Sequence, residues 1–285
     1  MEKSKTLKYS ALFLIALGLI TFFAGFAMAG FDFKKLTREK IDKKSYTTDA
    51  DIDIINIESN ISDVIIKKST DGSCRIDYSE SKNIKIDISV SDGVLKIKEK
   101  DKRKWYDYIS NINLYCADRK ITVYLPEDVY ESVTVSSDTG DLGIYSIPVN
   151  GKIKFTSDTG DTTIYNLSCD DVVIDTDTGD VDMDTVRCNN IKVRVDTGDI
   201  VFTDVIAAGE LNADTDTGDV EFKDCDAETI VVRTDTGDIE GTLLSEKIII
   251  AKTDTGDVKV PESLTGGACK LTTDTGDIII KYTLK

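Results

Sequence analysis

Residues 172–202 read VVIDTDTGDVDMDTVRCNNIKVRVDTGDIVF and contain the tetrapeptide Asp-Thr-Gly-Asp twice, with the two copies 19 residues apart. The same tetrapeptide occurs eight times between residues 138 and 277, at intervals of 19 or 20 residues. The copies begin at Asp138, Asp158, Asp177, Asp196, Asp216, Asp235, Asp254 and Asp274. A fixed period of this length is the signature of a protein built from stacked structural repeats.

Apolar and polar residues alternate on both sides of each motif. Val172 and Ile174 precede one copy, and Val181 and Met183 follow it, each separated from the next by a polar or outward position. A period of two residues indicates β-strands, so each repeat is predicted to be a strand, a corner and a second strand. Such a unit cannot bury its apolar face alone and must stack on copies of itself. Residues 131–285 are therefore predicted to form an all-β, single-stack β-solenoid of about 19–20 residues per coil.

The N-terminal part of the strand-rich region keeps the alternation without the motif. Residues 47–130 contain isoleucine-rich alternating runs, and they are predicted to form degenerate capping coils because atypical repeats commonly cover the ends of repeat proteins. Within them, the insertion 101–119 holds a tryptophan and three tyrosines. We expect it to pack against the end of the stack, with a binding patch as the alternative. At the other end, Lys281 and Lys285 flank the last strand and are expected to discourage edge-to-edge association.

The motif itself is predicted to be a corner. Glycine suits a bend with positive φ, and Asp and Thr side chains can bond to neighbouring backbone N–H groups. Stacked corners place like charges about 4.8 Å apart, but a carboxylate that accepts a backbone N–H bond can offset this repulsion without a metal. The prediction is therefore no metal and no cofactor. The alternative is calcium held by carboxylates of adjacent corners; its candidate ligands are Asp177, Asp180, Asp196, Asp199, Asp216, Asp219, Asp235 and Asp238.

The first 46 residues are predicted to contain a membrane anchor and its flanking segments. Residues 9–31 are uncharged and largely apolar, which is long enough to cross a bilayer as one helix. Residues 1–8 are predicted to be a short cytoplasmic tail and residues 32–46 a juxtamembrane stalk. The predicted location is the cell membrane, single-pass, with the C-terminal domain extracellular. The alternative is a signal peptide cleaved near Ala29, which would give a secreted protein.

The composition argues against several classes of function. Acidic residues outnumber basic ones 52 to 35, for a net charge of −17, whereas nucleic-acid binding needs a basic patch. The chain has no histidine, the commonest general base, and no catalytic residues are predicted. Asp-Thr-Gly also occurs in aspartic proteases, but those need two converging carboxylates rather than a line of copies. Cys169 and Cys188 hold equivalent places in successive repeats, so a disulfide is within reach, although two thiols are the main expectation.

The segment Ile121-Thr-Val-Tyr-Leu-Pro126, followed by repeated strand–Asp-Thr-Gly-Asp–strand units, resembles the bacterial putative-adhesin family of β-strand-repeat cell-envelope proteins, which is related to toast-rack domains. The resemblance covers roughly Thr47 to Lys285 and implies a surface-facing solenoid. The predicted function is a non-enzymatic, membrane-anchored, adhesin-like structural or interaction module. Its partner would be an extracellular macromolecule or an envelope protein. The alternatives are an accessory role in envelope-stress sensing or signalling, and a calcium-stabilised β-roll.

Overall fold

The computed structural model describes residues 14–24, 40–103 and 119–283. The chain divides into two compact units, Asp42–Asp101 with Asp118–Lys285, and Met1–Ile41 with Lys102–Ala117. In the second of these units, residues 14–24 are helical. Among the described residues, no helix combines the length and the hydropathy needed for a membrane span. The rest of the predicted span 9–31 and most of the aromatic insertion lie outside the described residues.

The first unit is all β-strand, as the alternation predicts. Its strands are β1 (Asp42–Thr48), β2 (Ile54–Ser59), β3 (Asp63–Lys68), β4 (Cys74–Glu80), β5 (Ile84–Ser91), β6 (Val94–Asp101), β7 (Lys120–Leu125), β8 (Tyr130–Thr139), β9 (Leu142–Tyr145), β10 (Val149–Thr159), β11 (Thr162–Ser168), β12 (Asp171–Thr178), β13 (Val181–Cys188), β14 (Asn190–Thr197), β15 (Ile200–Thr217), β16 (Val220–Thr236), β17 (Ile239–Leu243), β18 (Lys247–Thr255), β19 (Val258–Lys259), β20 (Gly267–Thr275) and β21 (Ile278–Tyr282). Strand β1 begins inside the segment 32–46 that was expected to be a stalk.

The strands build the predicted solenoid, in which each coil pairs in parallel with the coils above and below it. On one face the order in the middle of the stack is β8, β10, β12, β14 and the second half of β15. On the other face it is β9, β11, β13 and the first half of β15. Strands β15 and β16 each bend from one face to the other, so both faces belong to one sheet of 21 strands.

The interior between the two faces is apolar. Val172 and Ile174 before a corner are buried, and so are Val181 and Met183 after it, which confirms the positions predicted to point inward. Corresponding side chains of neighbouring coils stack on one another, as with Phe202 and Phe222, whose ring centroids are 5.4 Å apart. Since successive coils contact mainly their neighbours, the continuous column of apolar side chains provides most of the stabilisation.

At the C-terminal end, the order of the coils in space differs from their order in the sequence. Strands β16 and β17 pair with β20 and β21, the last coil along the chain. The preceding coil, β18 with β19, pairs on the outer side of β20 and β21. Strand β21 pairs with β17 along its whole length but with β19 only at Ile278 and Ile279. Lys281 lies beyond the part that is paired on both sides, so its role against edge-to-edge association stays a prediction; Lys285 lies outside the described residues.

The N-terminal end shows a similar exchange and is covered by antiparallel strands. The β2–β3 coil lies between the β8–β9 coil and the later β6–β7 coil. Strand β5 pairs antiparallel with β6, while β4 pairs antiparallel with β7 and β1 with β4. Strands β4 and β5 thus depart from the coils expected over residues 47–130, because their chain direction is reversed and they cover the end of the stack.

The covering strands are joined by a buried carboxylate, Glu80, which gives a pH-dependent contribution to stability. Burial opposes its ionisation, but bonds from Lys44 Nζ at 2.8 Å, the Ile86 N–H at 3.1 Å and Lys85 Nζ at 3.1 Å outweigh this. Together they lower the pKa of Glu80 from 4.5 to about 2. Because the folded-state pKa is the lower one, the contribution is present above pH 4.5 and is lost as the pH falls towards 2.

We expect Glu80→Gln to lower the free energy of unfolding near neutral pH and to make it less dependent on pH in this acidic window. The measurement is urea unfolding of both proteins across that range. The matched control is Glu127→Gln, which removes an exposed carboxylate paired with Lys68 at 2.7 Å and should change little. Parallel pH curves for the Glu80→Gln variant and the unchanged chain would contradict the assignment.

Candidate functional site: the aspartate corner

The corner is formed where the glycines of successive motifs stack with almost no space between their backbones. At Gly218, φ is +150°, and an added Cβ would lie 1.9 Å from the carbonyl oxygen of Gly198. The Gly218 N–H donates to the Thr236 carbonyl oxygen of the next coil at 3.0 Å. A side chain fits neither the backbone conformation nor the space, so glycine is required at this position.

The second aspartate of each motif forms an inner column of hydrogen bonds that runs along the stack. The Asp180 N–H donates to Asp161 Oδ1 at 2.9 Å, the Asp199 N–H to Asp180 Oδ1 at 2.9 Å, and the Asp219 N–H to Asp199 Oδ1 at 2.8 Å. The column ends with Asp257, which donates to Asp277 Oδ1 at 2.8 Å. Each bond gives a carboxylate a backbone partner in the adjacent coil, as expected from the charge argument.

The first aspartate of each motif forms an outer column that points away from the corner. Asp177 and Asp216 are exposed, while Asp196 and Asp235 are half-buried. The half-buried pair contact arginines on their own strands, with Arg194 Nη2 3.3 Å from Asp196 Oδ1 and Arg233 Nη2 2.9 Å from Asp235 Oδ1. The outer column is therefore a row of carboxylates at one strand spacing.

A third column, of hydroxyl side chains, lies on the buried side of the corner. Thr234 Oγ1 donates to the Gly218 carbonyl oxygen at 3.0 Å. Thr176 holds the same place in an earlier coil, but its buried Oγ1 has no hydrogen-bond partner among the described residues. In the coil next to Thr176 the place is taken by Val195, and in the following coil by Thr215. The corner therefore tolerates a methyl group where the hydroxyl is not bonded.

We expect Thr176→Val to raise the free energy of unfolding by about 1 kcal/mol, because it removes a buried hydroxyl that has no partner and keeps the shape of the side chain. Thr234→Val is the matched substitution and should lower stability by about 1 kcal/mol, because it breaks a bond to Gly218. Urea unfolding of both variants measures the two changes. Equal effects of the same sign would contradict the distinction between the two hydroxyls.

The eight aspartates named as the calcium alternative belong to two different columns. Asp180, Asp199, Asp219 and Asp238 are in the inner column, and the other four, from the corners of the same coils, are in the outer column. Among the described residues, no three acidic or cysteine side chains are grouped closely enough to hold a metal ion. The inner carboxylates already accept backbone N–H bonds, so calcium would have to compete with those bonds for an oxygen.

We expect the thermal midpoint of the complete chain to be unchanged by millimolar calcium or by a chelator. An ion that bound only the folded state would raise the midpoint by mass action. Asp199→Asn is a useful control, because the amide keeps an acceptor oxygen and loses the charge. A calcium-dependent rise that Asp199→Asn abolishes would establish the β-roll alternative.

Cys169 and Cys188 are adjacent, and both are free thiols. The Cys169 N–H donates to the Arg187 carbonyl oxygen at 3.1 Å, so the backbones of the two coils are paired next to the two cysteines. A hydrogen bond with Cys188, together with burial, raises the pKa of the Cys169 thiol. A protonated thiol is slow to react, so the pair is well suited to packing.

The bend around Asn60, in the isoleucine-rich region expected to form degenerate coils, is a corner without the motif, and what the sequence did not indicate is its acceptor, Glu99. Asn60, Ile61 and Ser62 lie below Thr139 and Gly140 without matching the motif. Their three N–H groups donate to Glu99 Oε2 at 2.8, 3.1 and 3.3 Å. One feature of the sequence could have indicated this acceptor. Glu99 occupies an inward position of the alternating strand β6, in line with the buried Leu95 and Ile97.

The described fold is similar to that of solved structures. A solved structure described as a "putative adhesin" from Bacteroides fragilis is 18% identical, with a TM-score of 0.53, over 86% of this chain and 98% of that one. One described as a "putative lipid binding protein" from Parabacteroides distasonis is 14% identical, with a TM-score of 0.47, over 85% and 97%. At such identities the likeness concerns the fold.

No curated protein matches the chain. The model of the family described as Toastrack DUF4097 matches residues 52–209 and 188–284, which together span nearly the whole solenoid. The chain therefore belongs to the Toastrack DUF4097 family.

Proposed function

We propose that this chain is a non-enzymatic interaction module of the bacterial cell envelope, which binds a macromolecule through the outer aspartate column. The observation that carries the proposal is the regular row of outward carboxylates, of which Asp158, Asp177 and Asp216 are exposed. Rigid strands on both sides fix the spacing of these charges. A preorganised row loses little conformational entropy on binding, which favours a partner with repeated cationic groups.

The same reasoning supports an adhesin-like role over catalysis. The solenoid repeats one corner, whereas acid–base chemistry needs a few groups with different environments placed around a reacting atom. The description of the Bacteroides fragilis structure as an adhesin is consistent with surface binding. Lipid binding, named for the Parabacteroides structure, adds no argument because that likeness is weaker.

The proposal places the module outside the cell, anchored by residues 9–31 as a single-pass span. The uncharged apolar composition of that segment supports the placement. Cleavage near Ala29 would release the same module as a secreted protein. A protease-protection assay on intact cells, with an antibody against the solenoid, distinguishes an anchored external module from a secreted or internal one.

The binding proposal is tested by capturing envelope components with the complete chain and measuring how salt weakens the complex. Asp158→Asn, Asp177→Asn and Asp216→Asn together should weaken binding strongly and flatten its salt dependence. The matched control removes three exposed charges elsewhere, with Glu221→Gln, Glu228→Gln and Glu210→Gln. Equal losses in the two triple variants would contradict a specific role for the corner.

The alternative, an accessory role in envelope sensing, gives a different result in the same assay. A surface module keeps its partner when residues 1–41 are removed. A sensing component that acts through its membrane segment loses the partner together with that segment. Capture with the chain lacking those residues therefore separates the two functions.

A further inference from the structure

The outermost coil at the C-terminal end leaves apolar side chains and a strand edge in water. Strand β18 pairs with β20 along one edge and, within the described residues, with no strand along the other. On its outer face the exposed fractions are 46% for Ile248 and 66% for Ile250. In the same coil Val258 is 43% exposed, and Leu264 in the connection after it is 96% exposed. Among the described residues of the solenoid, most of the exposed large apolar side chains are thus at one end.

We propose that this end binds a second copy of the chain, with β18 pairing antiparallel to the β18 of the partner about a two-fold axis at Ile249. The outer face of β18 reads Glu246, Ile248, Ile250, Lys252 in sequence order. In the proposed register, Ile248 lies opposite the partner copy's Ile250, and Glu246 lies opposite its Lys252. The strand is therefore complementary to itself in both apolar contact and charge.

Glu246 and Lys252 already have partners within their own chain, but both can still form an ion pair with the second copy. Lys252 is exposed and contacts Asp254 Oδ1 of its own corner at 2.7 Å. Glu246 is exposed and accepts bonds from Thr265 Oγ1 at 2.8 Å and Ser263 Oγ at 3.0 Å. A carboxylate can accept further bonds, so the pairing adds to these contacts.

At the other end of the solenoid, the described strands do not offer a matching surface. It is covered by antiparallel strands β1, β4 and β5, and the exposed side of β1 is polar, with Lys43 and Lys44 among its residues. A head-to-tail contact would place the apolar edge against this polar strand. The end-to-end arrangement uses the same surface on both copies, so assembly stops at a dimer. The inference does not rest on the proposed function, because dimerisation and partner capture involve different surfaces.

The register is tested by disulfide trapping in the complete chain, purified in detergent, with Cys116 and Cys169 replaced by serine. Glu246→Cys and Lys252→Cys chains are mixed and treated with a copper–phenanthroline oxidant. The proposed register brings the two thiols within disulfide reach. In a dimer of one variant alone, the two introduced cysteines are at the same position of each copy, and they lie about 20 Å apart along the paired strands. We expect a cross-linked dimer from the mixture and none from either variant alone; dimers from single variants, or none from the mixture, overturn the register.

Association itself is measured by sedimentation of the complete chain without added oxidant. Ile250→Lys should weaken the dimer about tenfold or more, because it places two charges in the centre of the contact. Tyr165→Lys is the matched control, since Tyr165 is also an exposed apolar residue but lies on β11, inside the stack. A chain that stays monomeric at about 100 µM, or equal weakening by both variants, overturns the proposal.

Discussion

Replacing Gly218 by alanine is expected to lower the free energy of unfolding by about 3 to 5 kcal/mol. The new Cβ would lie 1.9 Å from the Gly198 oxygen at a φ of +150°. The obstacle is backbone, which is itself held by the coil below, so the corner cannot move without breaking the inner aspartate column. Urea unfolding monitored by far-ultraviolet circular dichroism measures the change.

The matched control for this prediction is Gly72→Ala. Gly72 also has a positive φ, +72°, but an added Cβ would meet nothing within 4 Å. Its substitution should cost only about 1 kcal/mol, the usual penalty of the left-handed conformation. The difference between the two variants isolates the steric contribution of stacking. If Gly218→Ala is no worse than Gly72→Ala, the coils are not packed as closely as described.

Removing the side chain of Glu99, which lies near the N-terminal end of the solenoid, should lower the free energy of unfolding by a similar amount. Glu99 is 2% exposed, and besides the three backbone N–H groups it accepts bonds from Ser59 Oγ at 2.8 Å and Ser62 Oγ at 3.1 Å. Glu99→Ala leaves the three N–H groups of the corner, of which that of Ser62 is buried, without this acceptor, and we expect a loss of about 3 to 5 kcal/mol. The free energy of unfolding in urea is the quantity to measure.

Two further variants make the Glu99 prediction specific. Glu99→Gln keeps one acceptor oxygen and should give an intermediate loss. Glu58→Ala removes a carboxylate that is 45% exposed and paired with Lys96 and Lys98; such surface pairs contribute about 0 to 1 kcal/mol. A loss for Glu99→Ala no larger than that for Glu58→Ala would show that the N–H groups of this corner find water as an acceptor.

The repeat made the interior of the solenoid predictable from the sequence. The corner needs glycine, and a strand has a period of two, so the positions of Ile174 and Met183 relative to the motif determine which face they occupy. The same regularity predicted that the inner aspartates would accept backbone N–H bonds. These features depend on contacts between residues in equivalent places of neighbouring coils, and a repeat places such residues together.

The order of the end coils could not be predicted from that regularity. Every coil offers the same register and the same corner, so the β18–β19 coil and the β20–β21 coil could each stack on β16 and β17 by pattern alone. What distinguishes them is side-chain detail at the ends, such as the apolar outer face at Ile248 and Ile250. Glu99 was missed for a related reason, since it completes a corner about 40 residues away in sequence.

The exchanged end coils also bear on the time course of synthesis. A ribosome makes Thr253 before Tyr282, but β18 pairs with β20, so the earlier strand has to wait for the later one. At about 5 to 20 residues per second, the interval is roughly 1.5 to 6 seconds. During it, the β16–β17 coil is the growing end of the stack and the Ile248–Ile250 strand has no partner. The last two coils must therefore close together, as one late step, once the nascent chain has emerged beyond Tyr282.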